Sequence, residues 1–293
     1  MGKNSPYKKP IVVAEIGCNH KGDMDIAREL ILLAHQCNAT YAKFQKRNPR
    51  ELLTEEQYNA PHPNQMHAYG ATYGEHREYL EFTLEQHAEL KRFCEETGIG
   101  YATSVWDVSS AREIVSLKPD YVKIPSACNN NLDLLTFLRD NFEGETHVSF
   151  GMTTHSEEED VVNLFESTGS AKDKLVIYSC TSGYPVPFED VNLLEIVRLK
   201  EKFGSRCKNI GFSGHHLGIA IDNVAYALGA QWVERHFTKD RTWKGTDHAA
   251  SLEPPGLQKL VRDLNASFKS LKYKQEEILD IEKVQRTKLK FKR

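Results

Sequence analysis

The feature that most constrains this chain is an eightfold alternation of short apolar runs with longer amphipathic stretches. The first run is Ile11–Ile16, followed by a helix-like segment from Asp23 to about Gln36 with Ile26, Leu30 and Leu33 at helical spacing. Tyr41–Gln45 reads as a second strand, and Leu84–Glu96 as a helix with Gly98 as its stop signal. Strands then fall near 100–104, 121–124, 146–150, 174–179, 208–212 and 231–236, and helices near 109–117, 131–140, 156–167, 191–203, 217–228 and 256–271. Short, uniformly apolar strands read as buried parallel strands joined by crossover helices. Eight such units predict a closed (β/α)8 TIM barrel, an α/β fold in a single domain. A doubly wound open sheet is the alternative. It would carry a glycine-rich turn after its first strand, and Gly17-Cys18-Asn19-His20-Lys21-Gly22 has too few glycines at the wrong spacing.

The 293 residues suit one barrel with extensions. Residues 1–272 read as the barrel, and 273–293 as a charged C-terminal extension in which Gln275–Val284 could form one short helix. The rhythm breaks at residues 48–78, which contain Pro49, Pro61 and Pro63 among many Tyr, His and Asn. A long irregular stretch inside a regular domain reads as functional. Its His62, His67 and His76 are expected to be solvated or to pack within the loop.

A net charge of -3 offers no footprint for nucleic acid, and no apolar run approaches the roughly 20 residues that span a bilayer, so neither partner is expected. The start, MGKNSPYKKP, has no apolar signal core; Gly2 and Ser5 faintly suggest myristoylation, and a plain start before a buried strand is expected instead. Cys18, Cys37, Cys94, Cys128, Cys180 and Cys207 form no CxxC pair, and scattered cysteines suit a reducing cytoplasm.

Barrel active sites lie where strands end and βα loops begin. Those positions hold Glu15, Asn19 and His20; Lys43 and Gln45; Ser104 and Asp107; Lys123 and Ser126; Ser149; Ser182 and Tyr184; Ser213, His215 and His216; and Glu234, Arg235 and His236, with Asp247 and His248 in the last loop. A lone charge on an apolar strand is costly, so these residues need partners or a ligand. Lys43 and Lys123 could hold a phosphate or carboxylate together with Ser126, Ser149 and Ser213, or could pair with Glu15 or Glu234. Two lysines with three serines favour the ligand. His215 and His236 end neighbouring strands, where two imidazoles suit Mn²⁺, Zn²⁺ or Fe²⁺. Glu15 could act as a general base if apolar surroundings raise its pKa.

Several of these segments resemble the sialic acid (N-acetylneuraminate) synthase family. They are Ala14-Glu15-Ile16-Gly17 with Asn19-His20-Lys21-Gly22-Asp23, Lys43-Phe44-Gln45, Gly151-Met152, and Cys180-Thr181-Ser182-Gly183-Tyr184-Pro185. Gly211-Phe212-Ser213-Gly214-His215 and Glu234-Arg235-His236-Phe237-Thr238 match too, and Thr242–His248 followed by Ser251–Pro254 is similar to animal-type members. The resemblance spans roughly residues 11–270. It implies a barrel followed by a small antifreeze-like domain, working as a cytoplasmic homodimer. It also implies a metal-dependent transferase that condenses phosphoenolpyruvate with a hexose or N-acylhexosamine, N-acetylmannosamine or a relative, to give a nonulosonic acid and phosphate by C–O cleavage. By the same resemblance Lys43, Lys123, Ser126, Ser149, Ser182 and Ser213 would hold phosphoenolpyruvate, and His215 and His236 would bind Mn²⁺. Gln45, Tyr184 and Asp247 would contact the sugar, with Glu15 as the acid/base residue.

Two departures bear on the acceptor. Ser126-Ala127-Cys128-Asn129-Asn130 lacks the glutamate that follows the strand-4 serine in members using N-acetylmannosamine, and Arg293 falls where the antifreeze-like domain would begin. The expected acceptor therefore extends to another hexose, a phosphorylated sugar or a diacetamido sugar. Rival expectations are a class I aldolase with a Schiff base on Lys43 or Lys123, a synthase of octulosonate or heptulosonate acids, and a non-catalytic barrel that partners a complete synthase.

Overall fold

A computed structural model describes residues 5–291; Met1–Asn4, with Gly2, and Lys292–Arg293 lie outside the described residues. Eight parallel strands close on themselves in sequence order: β1 Ile11–Gly17, β2 Tyr41–Lys46, β3 Gly100–Val105, β4 Tyr121–Ile124, β5 Glu145–Ser149, β6 Leu175–Cys180, β7 Asn209–Gly214 and β8 Trp232–His236. The main helices between and after them are α1 Met24–Gln36, α2 Leu84–Thr97, α3 Val108–Ser116, α4 Leu132–Asn141, α5 His155–Glu166, α6 Leu194–Phe203, α7 Ala220–Leu228 and α8 Pro254–Ser270. The (β/α)8 barrel expected from the alternation is the fold observed, and the open sheet is excluded because β1 pairs with β8. Among the described residues no helix is long and apolar enough to cross a membrane.

Strand side chains alternate between faces, so each strand feeds two cores. One parity packs outward under the helices, as Val12, Ala14, Ile16, Ala42 and Phe44 do against α1 and α8. The other parity points into the barrel. There Val13, Ala102, Tyr121, Val176, Tyr178 and Trp232 form a separate cluster. His147 stacks on Tyr121 at 3.9 Å and meets Trp232 edge-on at 4.5 Å. This aromatic plug fills the N-terminal half of the barrel and gives the upper half a floor. Continuing two residues along the same parity leads from Val13 to Glu15, from Tyr41 to Lys43, from Tyr121 to Lys123 and from Trp232 to Glu234. The registers Glu15↔Lys43, Ser104↔Lys123 and Ser213↔Glu234 set these residues side by side just above the plug.

The break in rhythm after β2 is not irregular throughout. It folds into short helical turns at Pro49–Leu52, Glu55–Asn59, Gln65–His67 and Tyr73–Tyr79. Thr54 with Gln57 and Thr72 with Glu75 form reciprocal capping boxes, which act over four residues and escape a reading of hydrophobic period. Arg47 closes the base of this insertion, donating to Glu81 from its backbone N–H at 2.8 Å and its Nε at 2.5 Å. His62 and His76 are buried with rings 4.3 Å apart, packing within the insertion as expected. The tail helix lies at Asp280–Leu289, later than the sequence reading placed it. Asp280 and Glu282 fall in its first turn, where carboxylates suit the helix dipole, and Glu282 accepts from the Leu279 N–H at 2.9 Å.

Candidate active site

A cavity of about 320 Å³ opens at the C-terminal end of the barrel above the plug. Two hollows of about 600 and 660 Å³ elsewhere are larger. Volume alone does not select the site. The mouth cavity differs because its walls carry Glu15, Lys43, Lys123 and Glu234, all almost fully buried.

These four residues form one ionic chain. Lys43 pairs with Glu15, lies 3.6 Å from Glu234 and donates to Ser104 Oγ at 2.7 Å. Lys123 donates to Glu234 at 2.5 Å, and its ammonium sits 4.2 Å above the Tyr178 ring of the plug. Ser213 Oγ donates to Glu234 at 3.1 Å, and Gln45 Nε2 donates to Glu15 at 3.1 Å. Of the two alternatives for the lysines, the structure contains the salt bridges to Glu15 and Glu234. Glu234 is the counterion that both share.

The two carboxyls are driven apart. Burial pushes Glu15 up to about 7, with Lys43 opposing it and the Glu234 charge adding to the rise. Burial also acts upward on Glu234, but the ammonium groups of Lys123 and Lys43 outweigh it and hold that carboxyl below the usual range. Burial lowers Lys123 from the ordinary lysine value. Near neutral pH the chain therefore carries more positive than negative charge whenever Glu15 is protonated. Such a floor suits a small multivalent anion.

Serines surround the upper wall. Ser149 Oγ is buried and has no hydrogen-bond partner among the described residues, so it is free to serve a ligand. Ser126 Oγ accepts from the Gly151 N–H at 3.0 Å, and Ser182 lines the same wall. A Cβ at Gly151 would stand 2.5 Å from Ser182 Oγ and 2.6 Å from Ser126 Oγ. Gly151→Ala is therefore expected to push both hydroxyls out of line and raise the KM for the anionic substrate roughly 10- to 100-fold, with little loss of thermal stability, as steady-state kinetics beside a melting curve would show.

His215 and His236 converge at the rim with ring centroids 5.4 Å apart. His215 Nδ1 donates to the Thr181 carbonyl at 3.0 Å, which leaves its Nε2 lone pair free. His236 Nδ1 is buried without a partner among the described residues, and burial lowers this ring to about 4, so it stays neutral. Burial acts downward on His215, but its contact with the Cys180 sulfur outweighs it and holds the ring above the usual histidine value. Two imidazoles, one oriented by a backbone carbonyl, are donors of the type a borderline divalent cation takes. Tyr184 covers them, its ring 4.5 Å from that of His215.

Of the twelve residues singled out from the sequence, all but Asp247 line this cavity. Asp247 lies in the loop after β8 and does not line the cavity; burial lowers His236 despite the opposing Asp247 charge, and burial raises Tyr184 with the Asp247 charge adding to the rise. Other strand-end residues turn away. Asn19 donates to the Phe237 carbonyl at 2.9 Å and His20 stacks on Phe82 at 4.0 Å. His216 and Arg235 face the helices, where Arg235 bridges to Asp222 at 2.6 Å. Sequence reasoning placed Ser104 and Glu234 at strand ends without giving them a binding role, and gave none to Trp106, Met152 or Cys180, which also line the cavity. Counting by twos from the plug residues would have found Cys180; Trp106 and Met152 are loop residues with no such signal.

The sequence matches the NeuB family over residues 30–276. The chain belongs to the NeuB family. It is 38% identical to human N-acetylneuraminate-9-phosphate synthase over 261 residues, covering 89% of this chain and 70% of that protein. It is 31% identical to the N,N'-diacetyllegionaminic acid synthase of Campylobacter jejuni, covering 90% of this chain and 78% of that one. The crystal structure of the N-acetylneuraminic acid (sialic acid) synthetase from Leptospira borgpetersenii serovar Hardjo-bovis superimposes with a TM-score of 0.80 at 29% identity, covering 97% of this chain and 94% of that one. A truncated 3-deoxy-D-arabino-heptulosonate 7-phosphate synthase from Thermotoga maritima, at 12% identity and a TM-score of 0.65, shares the fold.

Proposed function

We propose that this NeuB-family barrel is a synthase of a nonulosonic acid, joining phosphoenolpyruvate to an aldose and releasing phosphate. The observation that carries the reading is the buried chain Glu15–Lys43–Glu234–Lys123 beneath the free Ser149 hydroxyl and the two converging histidines. Relatives named as synthases of sialic, legionaminic and pseudaminic acids support the product class.

Phosphoenolpyruvate brings a carboxylate and a phosphate to the floor of the cavity. Lys43 and Lys123 neutralise them, and Ser126, Ser149, Ser182 and Ser213 supply hydroxyl donors around them. Glu234 keeps both ammonium groups in place when no substrate is bound. By family resemblance Gln45, Tyr184 and Asp247 take the sugar, the first two from the cavity wall and Asp247 from the loop after β8. The C2=C3 π pair of phosphoenolpyruvate forms the bond from C3 to the aldehyde carbon as the C=O π bond opens, leaving C2 electron-poor, and the former aldehyde oxygen takes up a proton from solvent to become a hydroxyl. Water then adds at C2, giving its proton to Glu15, whose pKa near neutrality suits the transfer. The resulting tetrahedral carbon expels phosphate by C–O cleavage and becomes the ketone. His215 and His236 would hold a divalent ion, Mn²⁺ by family resemblance, which when bound polarises the aldehyde oxygen.

A Schiff base is disfavoured on this geometry. Both candidate lysines are engaged by carboxylates, whereas an aldolase needs a neutral amine. The experiment is a panel of hexoses, N-acylhexosamines and their 6-phosphates incubated with phosphoenolpyruvate and Mn²⁺, read by mass spectrometry. One aldose is expected to gain the mass of pyruvate, with loss on chelation and recovery on adding metal. Borohydride trapping of pyruvate on a lysine would contradict the reading.

A further inference from the structure

The insertion of residues 48–82 reaches the site in two ways: Arg77 lies 5.3 Å over the ring of Trp106 on the cavity wall, and Tyr69 and His67 meet the loop after β8. Tyr69 Oη donates to the Lys244 carbonyl at 2.5 Å, and the Gly245 N–H donates to His67 Nδ1 at 3.1 Å. The Lys244 ammonium folds back over the Tyr69 ring at 4.8 Å. Two successive residues of the loop after β8 are thus gripped on their backbone, with one residue, Thr246, between them and Asp247.

Both gripping residues are themselves held, His67 by its N–H donating to the Asn64 carbonyl at 3.1 Å. Tyr69 stacks on Tyr79 at 5.1 Å, nearly parallel, and its N–H donates to Nδ1 of the buried His76 at 3.1 Å. The insertion is tied to the barrel by the double bond of Arg47 to Glu81 and by Lys46, which donates to the Phe82 carbonyl at 3.0 Å. On the gripped side, Gly245 has a φ of +147°, and a Cβ there would lie 2.6 Å from the buried His248 ring. His248 in turn bonds Thr238 at 2.7 Å. The loop is therefore held from below by the barrel and from outside by the insertion. Without the outer grip, the stretch Lys244–Gly245 would lose its bonds to the insertion, while Trp243 would keep its ring contacts with His248 and Lys21 and the Asp247 carbonyl its bond from Ser251 Oγ at 2.7 Å.

We infer that Tyr69 and His67 are positioning residues for the sugar acceptor, acting through the backbone of Lys244 and Gly245 to hold Asp247 at the rim. The inference rests on the function proposed above and extends it. This grip serves the acceptor and not the anion, because it falls on the rim loop and leaves the lysine–glutamate floor untouched. His67 acts as an acceptor at Nδ1, so an asparagine, whose amide oxygen reaches a similar place, preserves the contact, and an alanine does not.

Tyr69→Phe, His67→Ala and His67→Asn test this. Tyr69→Phe and His67→Ala are each expected to raise the acceptor KM roughly three- to tenfold while the phosphoenolpyruvate KM stays within twofold, and His67→Asn to recover most of the loss. Hydrogen exchange gives a readout independent of turnover: the amide of Gly245 is expected to exchange faster in Tyr69→Phe and His67→Ala than in the wild type or His67→Asn. Acceptor and phosphoenolpyruvate KM rising together would overturn the inference, as would an unchanged acceptor KM or unchanged exchange at Gly245. A wild-type chain that makes no product from any aldose would instead sink the proposed function, and the acceptor role with it.

Discussion

Replacing Glu234 by alanine is expected to cost about 3–5 kcal/mol of folding stability, measured by urea unfolding, and to abolish turnover. Lys123 is buried and donates to this carboxylate, and Lys43 lies 3.6 Å from it. Removing Glu234 strands one buried ammonium and leaves the other with Glu15 alone. Neighbouring Ser213 also loses its acceptor. The cost arises from unpaired charge and not from lost packing. The double variant Lys123→Met/Glu234→Leu is therefore expected to regain most of the stability and none of the activity. Equal destabilisation of the single and double variants would show that the ion pair is not the cause.

Glu15→Gln is expected to lower kcat roughly 10²- to 10⁴-fold, the usual span for losing a general base. The wild-type rate should show an acidic limb with an apparent pKa near 7, because the carboxyl must be ionised to accept the water proton and burial pushes it up to about 7. The residual rate of the variant should lack that limb. Stability moves the opposite way. A carboxyl whose folded pKa is raised contributes stability that is present below its unfolded value and is lost as pH rises through about 7. Glu15→Gln should accordingly melt at a higher temperature than the wild type at pH 8, and the gain should vanish below pH 4.5. A variant that is no more stable than the wild type at pH 8 would mean that the Lys43 contact, and not burial, decides the state of Glu15.

The barrel was legible because buried parallel strands leave a strong and simple mark. Apolar runs such as Ile11–Ile16 recur with helix-length spacing, and eight of them close a sheet. Most of the site was legible for the same reason: charged residues such as Lys43 and Lys123 stand out against an apolar strand. Two things did not show. The sequence places Lys43 and Glu234 on distant strands, and only the barrel registers bring Lys43 beside Glu15 and Glu234 beside Ser213. Which alternative the lysines take is set by distances across the barrel, not by order along the chain. The insertion was hidden for a different cause. Its helices span four to seven residues and depend on capping boxes and on contacts such as Tyr69 to Lys244, 175 positions away. Asp247 illustrates the limit of motif transfer: the match places it in the loop after β8, while its distance from the cavity wall is a matter of how that loop is held.

The most direct test of the central claim uses phosphoenolpyruvate carrying ¹⁸O at the bridging oxygen, together with the aldose found active and Mn²⁺. The account predicts that the label leaves with the released phosphate, that a nonulosonic acid forms in equal amount, and that both are lost in His236→Ala. Label retained in the sugar acid, or phosphate released without a new carbon–carbon bond, would contradict it.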